Sequence, residues 1–89
     1  MQLKSLVWTS KNASHIARHE ITPSEIEEVM FGGTPLIRKG RENVYYSYGQ
    51  TGSGRYLFVV FVLWNSGQGF VVTARQMTEA ERKLYLKNR

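Results

Sequence analysis

Arg75, Glu81, Arg82 and Tyr85 stand close together near the end of the chain. Arg75 closes a β-rich run and a capped helix starts three residues later, so a returning helix can carry the other three back toward the strand end. Two arginines can hold a phosphate through bidentate hydrogen bonds, and a carboxylate or a phenol beside them can move a proton. Glu81 and Tyr85 are four apart and share a helix face, with Arg82 next to it. Each also has a plain structural use, which spacing alone favours: Glu81 completes a capping box, Arg82 pairs with a nearby carboxylate, and Tyr85 packs.

Two further groups have the right residue types. His15 and His19 lie four apart around Arg18, on one side of a short helix. Such a pair can chelate a metal only with a third ligand from elsewhere, and no H-E-x-x-H pattern accompanies it, so no metal site is expected. A proton shuttle fits a histidine better than a metal ligand, because its charge changes near neutrality; the sequence alone favours the structural alternative, a helix-end histidine bonded to a carbonyl. The other group is aromatic and basic: Trp8, Tyr45, Tyr46, Tyr48, Trp64, Arg41 and Arg55. Aromatic rings stack on unpaired bases, and arginine neutralises phosphate. Trp64 and Tyr56 are assigned to the core, which leaves Tyr45 and Arg55 as the better surface members. The glycine-rich residues 49–54 lack the lysine of a phosphate-binding loop and open no helix, so they predict no nucleotide site.

These side chains need a scaffold, and one run dominates it. Residues 56–64 (Tyr-Leu-Phe-Val-Val-Phe-Val-Leu-Trp) are aromatic or aliphatic throughout and flanked by glycine-bearing turns, which predicts a buried strand. Residues 70–74 follow after a short loop, so the two read as an antiparallel hairpin at the centre of a sheet with both faces covered. Residues 3–8 predict a first strand. Ser10 or Asn12 caps a short helix reaching His19, with Ala13, Ile16 and Ala17 as its apolar face. Thr22-Pro23-Ser24-Glu25 is a capping box with proline at the first helical position. Ile21 and Ile26 staple that helix, its buried stripe is Ile26, Val29 and Met30, and Gly32-Gly33 ends it. Residues 35–39 and 44–48 are further strands around a turn at 40–43. Thr78 and Glu81 form a second capping box for a last helix that runs to about Lys87. Met77, Ala80 and Leu84 are expected to face the sheet, and Lys83, Lys87 and Arg89 suit its C-terminal half. The order is strand, two helices, four strands, one helix: α+β, with helices packed on a mainly antiparallel sheet.

Composition narrows the classes. Eighty-nine residues predict one small domain, residues 1–89, with a modest core that a partner or a homo-oligomer would help. No cysteine is present, which excludes disulfides and thiolate metal sites. The first residues carry one cation and too short an apolar run for a secretory signal, and no run approaches the ~20 apolar residues of a membrane-spanning helix. The expectation is a soluble, cytoplasmic protein. Twelve Lys and Arg against seven Asp and Glu give a formal charge of +5, with the acids gathered between Glu20 and Glu28 and the bases dominating from Arg38 on. That suits polyanionic partners such as RNA, DNA or an acidic protein segment, although charge alone favours the plainer reading of a well-solvated surface.

Several stretches taken together carry a resemblance. Trp8, the run His15-Ile16-Ala17-Arg18-His19, Ile21-Thr22-Pro23, Glu27-Glu28-Val29, Tyr48-Gly49-Gln50-Thr51, Gly54 through Val60, and Val72-Thr73-Ala74-Arg75 with Met77-Thr78, Glu81-Arg82 and Tyr85 resemble the BrnT family over most of the chain. The closing pattern is the most specific part. BrnT proteins are similar to RelE-type toxins, so the resemblance implies a compact RelE-like α+β fold and an RNA-cleaving toxin of a type II toxin–antitoxin system. It also implies a DNA-binding antitoxin as partner. It carries Trp8, His19, Arg75, Glu81, Arg82 and Tyr85 to motif positions, with Arg75 and Arg82 facing the phosphate and His19, Glu81 or Tyr85 transferring protons. No cofactor is implied: RNA supplies its own 2′-OH nucleophile, which predicts a metal-independent endoribonuclease. Arg55, Trp8, Tyr45 and Arg41 are the expected RNA-binding set. Three departures stand out. Thr9 replaces the usual Asp after the tryptophan, Glu20 replaces the usual Gly after the histidine, and Val44-Tyr45-Tyr46-Ser47 lacks an arginine common before the glycine matched by Gly49. If that arginine takes part in catalysis, its loss predicts a weak or inactive module of the same fold unless Arg55 substitutes.

Overall fold

The computed structural model describes residues 2–88. In chain order the elements are β1 (Ser5–Val7), α1 (Ser10–Ala17), α2 (Pro23–Phe31), β2 (Leu36–Lys39), β3 (Val44–Gln50), β4 (Tyr56–Leu63), β5 (Gln68–Gln76) and α3 (Glu79–Lys87). The strands form one sheet in the order β1-β5-β4-β3-β2. All its pairings are antiparallel except β1 with β5. The fold is therefore α+β with the expected element order, and the all-apolar run is its central strand. Arg89, expected to favour the end of α3, lies outside the described residues.

Strand periodicity divides β4 between two faces. Leu57, Val59 and Phe61 are fully buried and join Val71 and Ala74 of β5 under α1 and α2. The helices contribute Ile16, Ile26, Val29 and Met30, with Ile21 between them, as the spacing in α2 predicts. The alternate residues Tyr56, Phe58, Val60 and Val62 face the other way. Here the expectation of two covered faces is corrected. α3 covers only the end near Tyr56, where the buried Tyr85 ring meets Tyr56 edge-on at 6.1 Å. Val60 and Val62 stay partly exposed. Trp64, assigned to the core from its hydrophobicity, is 43% exposed and stacks on Phe70 at 5.8 Å. One short helix cannot span five strands, so the sheet keeps an open face.

Local chemistry explains the corners. Thr22 and Thr78 cap α2 and α3 in reciprocal boxes with Glu25 and Glu81. For α1 the cap is Thr9, not Ser10 or Asn12. Asn12 is its box partner at N3, and its buried amide also donates to Val7 O (2.9 Å) and Val71 O (3.1 Å). This satisfies two carbonyls where β1 leaves β5. β1 itself is shorter than residues 3–8. The inward face of α3 is Glu81, Leu84 and Tyr85, whereas Ala80 is exposed. Gly49 lets β3 approach α2: a Cβ there would lie 2.7 Å from Val29 Cγ1. Glu20, where the resemblance implies a glycine, has φ +60°. That left-handed conformation closes α1, with Ile21 N–H donating to Ile16 O (3.2 Å), and it is the geometry that favours glycine at a helix C-terminus.

Candidate functional site

Arg75 sits opposite Phe58 in the β4–β5 ladder, so both side chains rise from the open face. The Arg75 guanidinium lies 4.4 Å from the centre of the Phe58 ring. Tyr46 and Tyr48 pack against the same phenyl ring at 5.9 and 5.2 Å. Glu81, in the first turn of α3, locks the arginine from the side. Arg75 Nη1 donates to Glu81 Oε1 at 2.7 Å and Nη2 to Oε2 at 3.0 Å, while Nη1 also donates to Gln76 O at 3.1 Å. Glu81 Oε1 further accepts from Thr78 N–H at 2.8 Å, so one carboxylate caps the helix and orients the cation. The hydrogen bond from Arg75 outweighs burial and holds the Glu81 carboxyl below its usual range; the same bond raises Arg75 above its own. Glu81 is thus an anion committed to two donors. Of the five guanidinium N–H groups, three are used within the described residues, and the Arg75 side chain is 40% exposed.

Arg82 follows Glu81 on the helix and lies 4.8 Å over the Tyr56 ring. Tyr56 and Phe58 are two residues apart on one side of β4, about 7 Å along a strand. The two guanidinium groups therefore share a face. Arg82 is exposed and forms no ion pair among the described residues. It borders a shallow depression with Arg55, Gly54, Tyr56, Gln76 and Met77. Arg55 Nη1 is tied to Glu20 O (2.9 Å) and Glu25 Oε2 (2.8 Å). Burial pushes the Glu25 carboxyl up, but hydrogen bonds from Arg55 and Thr22 prevail and hold it low.

α1 reaches the same region from the side. Beyond residues 68–70, which pair with β1, the outer edge of β5 is flanked by this helix. Asn12 bonds Val71, and one turn later His15 Nε2 lies 2.9 Å from Thr73 Oγ1. His19 follows just past the helix, exposed, its ring 6.0 Å edge-on from His15. Thr73 is two residues before Arg75 on the same side of β5. No cluster of three or more His, Asp or Glu side chains that could hold a metal ion occurs among the described residues.

Arg75, Glu81, Arg82, Tyr85 and Arg55 thus gather at one end of the sheet, with His19 at the neighbouring end of α1. Tyr85 is buried. Three residues expected to bind RNA are placed elsewhere. Trp8 packs against the core and donates from Nε1 to Glu27 Oε2 at 2.9 Å. Tyr45 stacks on Phe61, 5.6 Å away, on the core face. Arg41 lies in the β2–β3 turn, at the far end of the sheet from Arg82. What the sequence does not reveal is that Phe58 supports Arg75, that Tyr46 and Tyr48, grouped above with the base-stacking aromatics, pack on that ring, and that Thr73 anchors His15. Period-two reading of β4 was the available signal for Phe58, since it puts Phe58 with Tyr56. Nothing in the sequence pairs His15 with Thr73, 58 residues away.

Among curated proteins, none matches the sequence significantly. The fold resembles the crystal structure of the Brucella abortus ribonuclease toxin BrnT, with a TM-score of 0.67 over 84% of this chain and 97% of that one, at 14% identity. The sequence profile described as "Ribonuclease toxin, BrnT, of type II toxin-antitoxin system" matches residues 8–81, a span that includes Arg75, Glu81 and the histidine helix. On that match, the chain belongs to the BrnT family of ribonuclease toxins of type II toxin–antitoxin systems.

Proposed function

We propose that this chain is a metal-independent endoribonuclease whose centre is the end of the sheet bordered by Arg75 and Arg82. In this reaction the 2′-oxygen attacks phosphorus and the bond to the 5′-oxygen breaks, leaving a 2′,3′-cyclic phosphate and a 5′-hydroxyl. Negative charge grows on the phosphate oxygens in the transition state, and preoriented guanidinium groups stabilise it without having to reorganise. The observation that carries this reading is that Arg75 and Arg82 lie over neighbouring rings, Phe58 and Tyr56, on one face of β4. Glu81 orients Arg75. Glu81 is committed to Arg75 and Thr78 N–H, and Tyr85 is buried, so proton transfer falls to the histidines on the α1 side, His19 among them. An antitoxin of the same system neutralises the protein by covering this basic end or the open sheet face beside it. Among the described residues no helix is long and apolar enough to cross a membrane.

The test is cleavage of a single-stranded RNA by purified protein in excess chelator, with a terminal cyclic phosphate as the diagnostic product. Arg82→Ala is expected to lower the rate by roughly 10²–10³ with little change in stability, because its side chain is exposed. Unchanged cleavage by both Arg75→Ala and Arg82→Ala overturns the site, and cleavage abolished by chelator overturns the metal independence. A second reading, a binding module without turnover, is favoured by the engagement of both Arg75 and Arg55 with carboxylates. Tight RNA binding with no product under any condition supports that alternative.

A further inference from the structure

The face of α1 that looks along the sheet edge carries Lys11, Ser14, His15 and Arg18, spaced i, i+3, i+4 and i+7. Together with Asn12 they form one wall of a groove whose other side is Phe70 and Val72 of β5. The lining contains cations, neutral polar groups and apolar carbon, and no carboxylate. Val72 is 44% exposed because it is the additional residue at the β4–β5 register shift, which turns it out of the ladder. Phe70 is backed by the stacked, exposed Trp64. His15 is pinned at the wall by Thr73, two residues before Arg75. An apolar, partly aromatic floor beneath a cationic rim suits a chain of stacked bases with an anionic backbone.

We infer that the groove between α1 and β5 is the track that holds single-stranded RNA next to the cleavage centre. Lys11 and Arg18 contact phosphates, and a base packs on Phe70 and Val72. This rests on the ribonuclease reading and gives it a substrate path distinct from the expected set of Trp8, Tyr45 and Arg41. From Lys11 to Arg18 the helix rises about 10 Å, on the order of three stacked nucleotides at ~3.4 Å each.

The test uses a fluorescein-labelled RNA, 2′-O-methylated so that it cannot be cut, with affinity read by anisotropy across a salt series. Lys11→Ala/Arg18→Ala is expected to weaken binding about tenfold at low salt and to flatten the slope of log K against log salt by about 1.4, from about 0.7 per phosphate on a single strand. Both side chains are exposed; removing Lys11 from the first turn of α1 favours the helix dipole and removing Arg18 from its C-cap opposes it, two small effects of opposite sign, so a melting curve should shift little. Val72→Glu, which places an anion on the floor, is expected to weaken binding by a similar factor, and Lys87→Ala, on the distant end of α3, to leave it unaltered. If the wild type cleaves RNA yet the double variant binds with wild-type affinity and slope, the groove assignment is wrong while the ribonuclease reading stands. If the variants bind RNA normally but lose the antitoxin, the groove is a protein site and the inference also fails. Failure of the wild type to bind or cleave removes both.

Discussion

Replacing Glu81 with Gln separates two roles that one carboxylate plays. Glutamine can still accept from Thr78 N–H, since a capping box tolerates Gln at N3, but it cannot form the bidentate ion pair with Arg75. The pair is partly solvated, so its worth is close to that of exposed pairs, about 0.7 kcal/mol. For a domain of this size that lowers Tm by roughly 3–6 °C. Glu81→Ala removes the cap bond as well and should cost about 1 kcal/mol more. The pH dependence checks the cause. Because the folded carboxyl titrates below its usual value of 4.5, the unfolded chain binds the proton more readily. The stabilisation is therefore fully present above 4.5 and disappears as pH falls through the lower folded value. Thermal melts of wild type and Glu81→Gln should differ at pH 7 and converge in acid. In the cleavage assay the Gln variant should lose rate through a misplaced Arg75 while the shape of the pH–rate profile is kept. A pH-independent stability gap, or loss of the limb of that profile assigned to a base, would show that Glu81 does more than orient its neighbour.

Three other outcomes follow from the same coordinates. Glu20→Gly should stabilise the fold by about 0.5 kcal/mol, since relief of a left-handed residue exceeds the added freedom of the unfolded chain; the carbonyl that accepts from Arg55 is retained, and a urea titration reads the change. Gly49→Ala should destabilise by roughly 1–3 kcal/mol through the 2.7 Å approach to Val29, visible in the same titration. His15→Gln and His19→Gln should each fold normally, and the one that removes a limb of the pH–rate profile identifies the proton-transfer group; an unaltered profile in both excludes α1 from the chemistry.

Much of the architecture is written in short-range signals. The Thr22 and Thr78 capping boxes, the 3.6-residue stripe of α2 and the uninterrupted apolar run of β4 are each set by residues within a turn or a strand length. They therefore announce the α+β order and the central strand without any knowledge of packing. The motif residues at the chain end could also be singled out, because Arg75, Glu81, Arg82 and Tyr85 are near neighbours. What each side chain does there depends on partners that the chain brings from afar. Arg75 rests on a phenyl ring from the adjacent strand, His15 is anchored across 58 residues, and Arg55 is drawn to Glu25. Trp8, Tyr45 and Trp64 show the same divide in reverse. Residue type cannot say which face of a sheet an aromatic occupies, because that follows from strand register and from how far a helix extends over the sheet, and both are settled only when the whole molecule packs.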